Sequence, residues 1–157
     1  MAAYSGVLDV KGGFRQTDGP YTCGAYDIPG NFLVYFASSL LLRVPTDGVT
    51  IAGILMGDAT AGDTDCMIMP VTSDLIFEIG IGAGTAASLI MGKKYGITAN
   101  TAGACSADQE LDEGETGNDS LVFHRFGRQN LTTGLYVTAW VSVAEVANQW
   151  DGTVEGA

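Results

Sequence analysis

Apolar and polar positions alternate most regularly over Leu135–Val143. Leu135, Val137, Ala139, Val141 and Val143 fall on one side, and Tyr136, Thr138, Trp140 and Ser142 on the other. Period two over this run predicts a β-strand with one apolar face, so Val137, Ala139 and Val141 are expected to point inward. Upstream, Phe32, Val34 and Phe36 interleave with Leu33 and Tyr35. Both faces are then apolar, as in a buried strand; a short helix through Ser38–Leu42 is the competing reading. Val49–Leu55, Cys66–Val71, Leu75–Ile79, Tyr95–Thr98 and Leu121–Phe126 are further candidate strands. Pro70 lacks an N–H and suits an edge or a strand end. Turn chemistry separates the runs at Val44–Gly48, Thr72–Asp74 and Gly127–Asn130. Gly80–Gly92 has no readable period. Short strands roughly ten residues apart, with no amphipathic helix of three turns, predict an all-β chain: a small antiparallel β-barrel or sandwich.

The ends differ from the middle. Residues 1–30 show no period but carry Tyr4, Phe14, Tyr21 and Tyr26, which a solvated tail would lack. They read as an irregular extended N-terminal arm that packs either on its own barrel or on a partner. Its anchors are Tyr4, Val7, Leu8, Phe14, Tyr21 and Tyr26, the expected contacts with a partner or a neighbouring subunit. The barrel domain is then expected over 31–147 and a frayed tail over 148–157.

Composition narrows the class. Apolar residues make up 46% and charged residues 16% of 157, which excludes general disorder and fits a single domain. Eighteen acids against seven Lys and Arg give a net charge of −11. Such a surface repels phosphate, so neither nucleic acid nor an anionic membrane is an expected partner. The longest apolar stretch, Phe32–Leu42, is too short for a membrane helix of about twenty residues, and a soluble protein is expected. The 22 glycines, about twice the usual share of roughly 7%, fit many tight turns.

Candidate chemistry is sparse. Cys23, Cys66 and Cys105 form no CxxC or Cys/His pair, and read as reduced, mostly buried thiols. In the acidic run Asp108–Asp119, a calcium loop starting at Asp108 would need glycine where Glu113 stands, and Asp119 replaces the closing glutamate. The run reads as a hydrated loop, as does the one holding Asp58, Asp63 and Asp65. Gly82–Ala87 approximates a dinucleotide fingerprint, but no later parallel strand ends in an acid and Gly92 stops any helix. His124, the single histidine, has no nucleophile motif beside it and reads as a hydrogen-bonded strand residue. The expectation is a protein that is not an enzyme, with no catalytic, cofactor-binding or metal residues.

Two phrases carry a resemblance: Met-Pro-Val-Thr-Ser-Asp-Leu-Ile-Phe-Glu-Ile at 69–79 and Ile-Met-Gly-Lys-Lys-Tyr-Gly-Ile at 90–97. With the strands around them, roughly residues 49–143 resemble the small β-barrel decoration, or cement, proteins of tailed-bacteriophage heads. The resemblance implies a structural virion protein made in the host cytoplasm and seated on the outer surface of the capsid. Its partner would be the phage major capsid protein. It also implies a homotrimer, where symmetry statistics alone favour a dimer. A small-ligand or carbohydrate-binding β-barrel, such as a viral receptor-binding tip, is the alternative from another class.

Overall fold

A computed structural model describes residues 4–12, 16–45, 50–72, 74–82, 88–98, 105–114 and 120–149. Its strands are β1 (Asp9–Lys11), β2 (Asp18–Cys23), β3 (Leu33–Phe36), β4 (Leu41–Arg43), β5 (Gly53–Leu55) and β6 (Cys66–Pro70). These are followed by β7 (Ile76–Ile81), β8 (Lys94–Ile97), β9 (Glu110–Asp112), β10 (Leu121–Phe126) and β11 (Thr138–Val143). The fold is all-β and barrel-forming, as the alternation implies.

There are two rings. The first closes in the order β2-β4-β3-β5-β6. The second runs β7-β11-β10-β8-β9 and closes through the parallel pairing of β9 with β7 at Gly80–Ile81; β1 pairs with Ile76–Glu78, earlier along the same edge of β7. Both rings use one strand plan. In each, the first strand pairs parallel with the third and antiparallel with the fifth, and the other pairs are antiparallel. Matched strands are equal in length for β2 and β7, β3 and β8, and β4 and β9, but their residues differ, as in DGPYTC against IFEIGI and LVYF against KYGI, so the duplicated plan is not readable from the residue pattern.

Two rings explain why β3 is apolar on both faces. Val34, Leu55 and Ile68 pack with Phe32, Leu42 and Val44 inside the first barrel. Their neighbours Leu33 and Ile54, with Met69 partly buried beside them, turn the other way and pack with Phe77, Ile79, Leu111 and Val141. The outer wall of one barrel is thus part of the core of the other. Polar side chains complete the joint where β3 has no strand beside it. The Gln109 amide accepts from Leu33 N–H at 2.6 Å and donates to Leu33 C=O at 2.9 Å, as a strand neighbour would. Gln149 does the same for Phe36, at 2.9 and 3.1 Å.

Several expectations change here. The boundary at 30/31 has no counterpart. Val7 lies in the core, β2 is a wall of the first barrel and Ile28 is buried within it. Of the two places open to the arm, its described residues occupy the chain's own barrels. At the other end, Asn148 is buried, donates from Nδ2 to Val71 C=O at 2.8 Å and bridges Ile51, so 148–149 are docked; 150–157 lie outside the described residues. Ser38–Leu40 is a 3-10 turn with Ser39 and Leu40 at φ 60° and 59°, leading into β4. Finally, Val137 does not point inward. β11 starts at Thr138, and Leu135 and Val137 are exposed, because the run's first three residues belong to a hairpin. Ala139 and Val141 are fully buried as expected.

Candidate functional site

Residues 5–11 thread the joint between the barrels. Val7 N–H donates to Asn31 C=O of the first barrel at 2.7 Å, and Leu8 N–H donates to Glu78 C=O of the second at 2.8 Å. Ser5 N–H donates to Asp108 Oδ1 at 2.7 Å, while Ser5 C=O accepts from Gln109 N–H at 2.8 Å. Gly6 is required by closeness: a Cβ there would stand 2.5 Å from Asn31 O. Strand-like alternation then buries Val7 and leaves Leu8 42% exposed.

Leu8 stands between two depressions. On one side Val7, Val10, Ile54, Met56 and Met69, with Asp9 and Asn31, line a mixed polar and apolar one of about 250 Å³. On the other, Ser5, Asp108, Glu110, Val137 and Thr138 line one of about 190 Å³. Burial, and then the charge of Asp108, push the Glu110 carboxyl above its ordinary range. Both volumes fall below the roughly 300 Å³ at which drug-sized ligand pockets begin.

The expected contact residues do not gather into one patch. Tyr4 and Leu8 are exposed beside the joint, and Val7 is buried beneath it. Tyr21 is part of the first barrel, with its ring 4.7 Å from that of Phe36 and its hydroxyl bonded to Asp18. Burial, followed by the Asp18 contact, pushes the Tyr21 phenol up to about 12. Tyr26 is exposed on the loop after β2, where its carbonyl accepts from the Cys23 thiol. Phe14 lies outside the described residues. Sequence reading missed the more prominent feature, the hairpin Arg128–Val137, because its leucines and valine look like the start of a core strand.

The other candidate groups take structural positions. His124 occupies a bulge between Phe123 and Arg125 where β10 pairs with β11, and its Nε2 lies 2.8 Å from Ser142 Oγ. Burial holds the ring below its usual pKa, and no carboxylate among the described residues hydrogen-bonds it. A serine–histidine pair without an orienting acid is a cross-strand hydrogen bond rather than an assembled nucleophile. Cys23 and Cys66 are buried, Cys105 is half-buried, and all three are free. Burial pushes the Cys23 thiol up to about 11, which makes it a poor nucleophile. Asp58 and Asp63 accept backbone N–H groups of Gly30 and Thr60. Among the described residues no three His, Cys, Asp or Glu stand together as a metal site; Glu115, Asp119 and Ala83–Ala87 lie outside them.

No known family model matches the chain, and neither a curated protein nor a solved structure is detectably similar to it.

Proposed function

We propose that this protein is a structural interaction module: a decoration protein that binds the outer surface of a phage head and stabilises the capsid lattice. The observation that carries this reading is that the rings are filled. Phe77, Tyr95, Ile97 and Leu111 are at most 1% exposed in the second barrel, as are Phe32, Leu42 and Ile68 in the first. Five-stranded rings packed this way hold no ligand in their lumens, so recognition falls to the outer surface. That weighs against the small-ligand barrel reading. The net charge of −11 favours a basic partner surface, and the resemblance at 69–79 and 90–97 supplies the head shell as that partner.

The test is cosedimentation. Purified protein mixed with undecorated heads should pellet with them at a fixed ratio and raise the temperature at which the shells rupture. If it stays in the supernatant at micromolar concentration, the reading is overturned. The homotrimer belongs to the same proposal. Sedimentation velocity should give three times the 16.3 kDa chain mass, and a monomer at all concentrations would remove it.

A further inference from the structure

The hairpin 128–137 holds apolar side chains in water on a hydrogen-bonded frame. Asn130 Oδ1 accepts from Thr132 and Thr133 N–H at 2.9 and 3.1 Å, and Gly134 closes the turn at φ +72°. Asn130 N–H bonds Leu135 C=O, and Val137 N–H bonds Arg128 C=O. At the base, the Arg128 guanidinium lies 3.1 Å from Glu78 Oε1, whose side chain is 3% exposed. Thr138 Oγ1 donates to the other Glu78 oxygen at 2.5 Å. Tyr136 stacks on Phe126 with ring centroids 4.5 Å apart. This scaffold presents Leu131 at 96% exposure and Leu135 at 64%. A backbone already hydrogen-bonded in place loses little entropy on docking, which is what an interface anchor needs.

The hairpin is continuous with the joint. Val137 lines the same depression as Leu8, Asp108 and Glu110. Among the described residues none donates a hydrogen bond to the Glu110 carboxylate, and the lining of the depression holds no lysine or arginine. We propose that this face docks a protein segment carrying a lysine or arginine beside apolar residues, the cation entering between Asp108 and Glu110. The aliphatic stem of such a side chain lies against Leu8 and Val137, while its head meets two carboxylates. A hydrated metal ion would gain nothing from those two walls. The apolar neighbours in the segment meet Leu135 and Leu131. This inference rests on the surface-binding reading above and gives the partner surface its chemistry.

The test uses the full chain, labelled with ¹⁵N and titrated with acetyl-Leu-Arg-Leu-amide, with acetyl-Leu-Gln-Leu-amide as control. The arginine peptide should shift the amides of Ser5, Leu8, Gly80 and Thr138 with millimolar affinity. A D108N/E110Q variant should bind it at least tenfold more weakly, with the single E110Q as the gentler change if the double variant loses amide dispersion. No saturable shift below 10 mM, equal shifts from the glutamine peptide, or unchanged binding by a folded variant each overturn the proposal. Cosedimentation with heads separates the two readings. Heads that bind wild type and variant equally overturn this docking face alone. Peptide binding without head binding overturns the decoration reading alone.

Discussion

Replacing Gln109 with alanine removes the group that stands in for a strand neighbour of β3. Leu33 is fully buried, and its N–H and C=O both bond the Gln109 amide, at 2.6 and 2.9 Å. The substitution orphans a buried donor and a buried acceptor. Each unsatisfied group costs about 1–3 kcal/mol, so the pair costs about 2–6 kcal/mol. Against a typical total of about 5–15 kcal/mol, that is a large fraction. Gln109→Glu keeps the acceptor for Leu33 N–H but sets a carboxylate oxygen against Leu33 C=O, and should fare no better at neutral pH. Denaturant unfolding followed by circular dichroism gives the free-energy change. Hydrogen exchange at the Leu33 amide shows whether the loss is local. A Gln109→Ala protein within about 1 kcal/mol of wild type, with Leu33 still protected, would refute the idea that side-chain amides splice the barrels together.

Three further outcomes are expected. Val141→Asp should abolish folding, since it buries an unpaired charge, while Val137→Asp on the exposed hairpin should leave the melting temperature nearly unchanged; equal effects would restore the inward register. Gly127→Ala should destabilise by more than about 1 kcal/mol in thermal melts, because its Cβ would overlap Thr138 Oγ1 and stand 2.8 Å from Glu78 Oε2. Glu113 is buried, and its Oε1 has no hydrogen-bond partner among the described residues; burial is the main cause holding its carboxyl above the ordinary range. The folded state therefore binds this proton more tightly than the unfolded one, so the group's contribution to stability falls as pH rises through that window. Glu113→Gln should melt higher than wild type at pH 7, with the gap closing towards pH 4; a gap independent of pH would dismiss the titration.

Legibility followed strand length and tertiary surroundings. Leu121–Phe126 carries an apolar pattern as long as its strand, and its ends were readable to the residue. β3 and β6 were readable because their β-branched, aromatic and sulfur-bearing runs are bounded by turn residues. β1, β4 and β9 are three residues each, too short to display a period. β2 contains Gly19 and Pro20, which argue against a strand in sequence; its register with β6 shifts between Asp18 and Tyr21, within the stretch that holds both. The face of β11 that looked semi-polar is also covered. Trp140 lies under Lys11 and Arg125, Ser142 meets His124, and Thr138 meets Glu78. Local alternation cannot announce such partners. The joint was invisible for the same reason: Gln109 sits in an acidic stretch, and only the folded backbone shows what its amide satisfies.

The nesting of the first barrel between β1 and β7 sets an order of events on the ribosome. Every strand of the first ring lies within residues 18–70, so that ring can close as soon as β6 emerges. β1 has no such opportunity, because β7 begins about 65 residues after β1 ends. At roughly 5–20 residues per second, residues 5–11 wait for several seconds with Val7 and Val10 unburied. A segment made before the first ring is thus docked onto β7 only after that ring can close. Nascent chains stalled with β6 outside the ribosomal exit tunnel and β7 still inside it should accordingly protect Phe32 and Ile68 from exchange while leaving Leu8 and Val10 open.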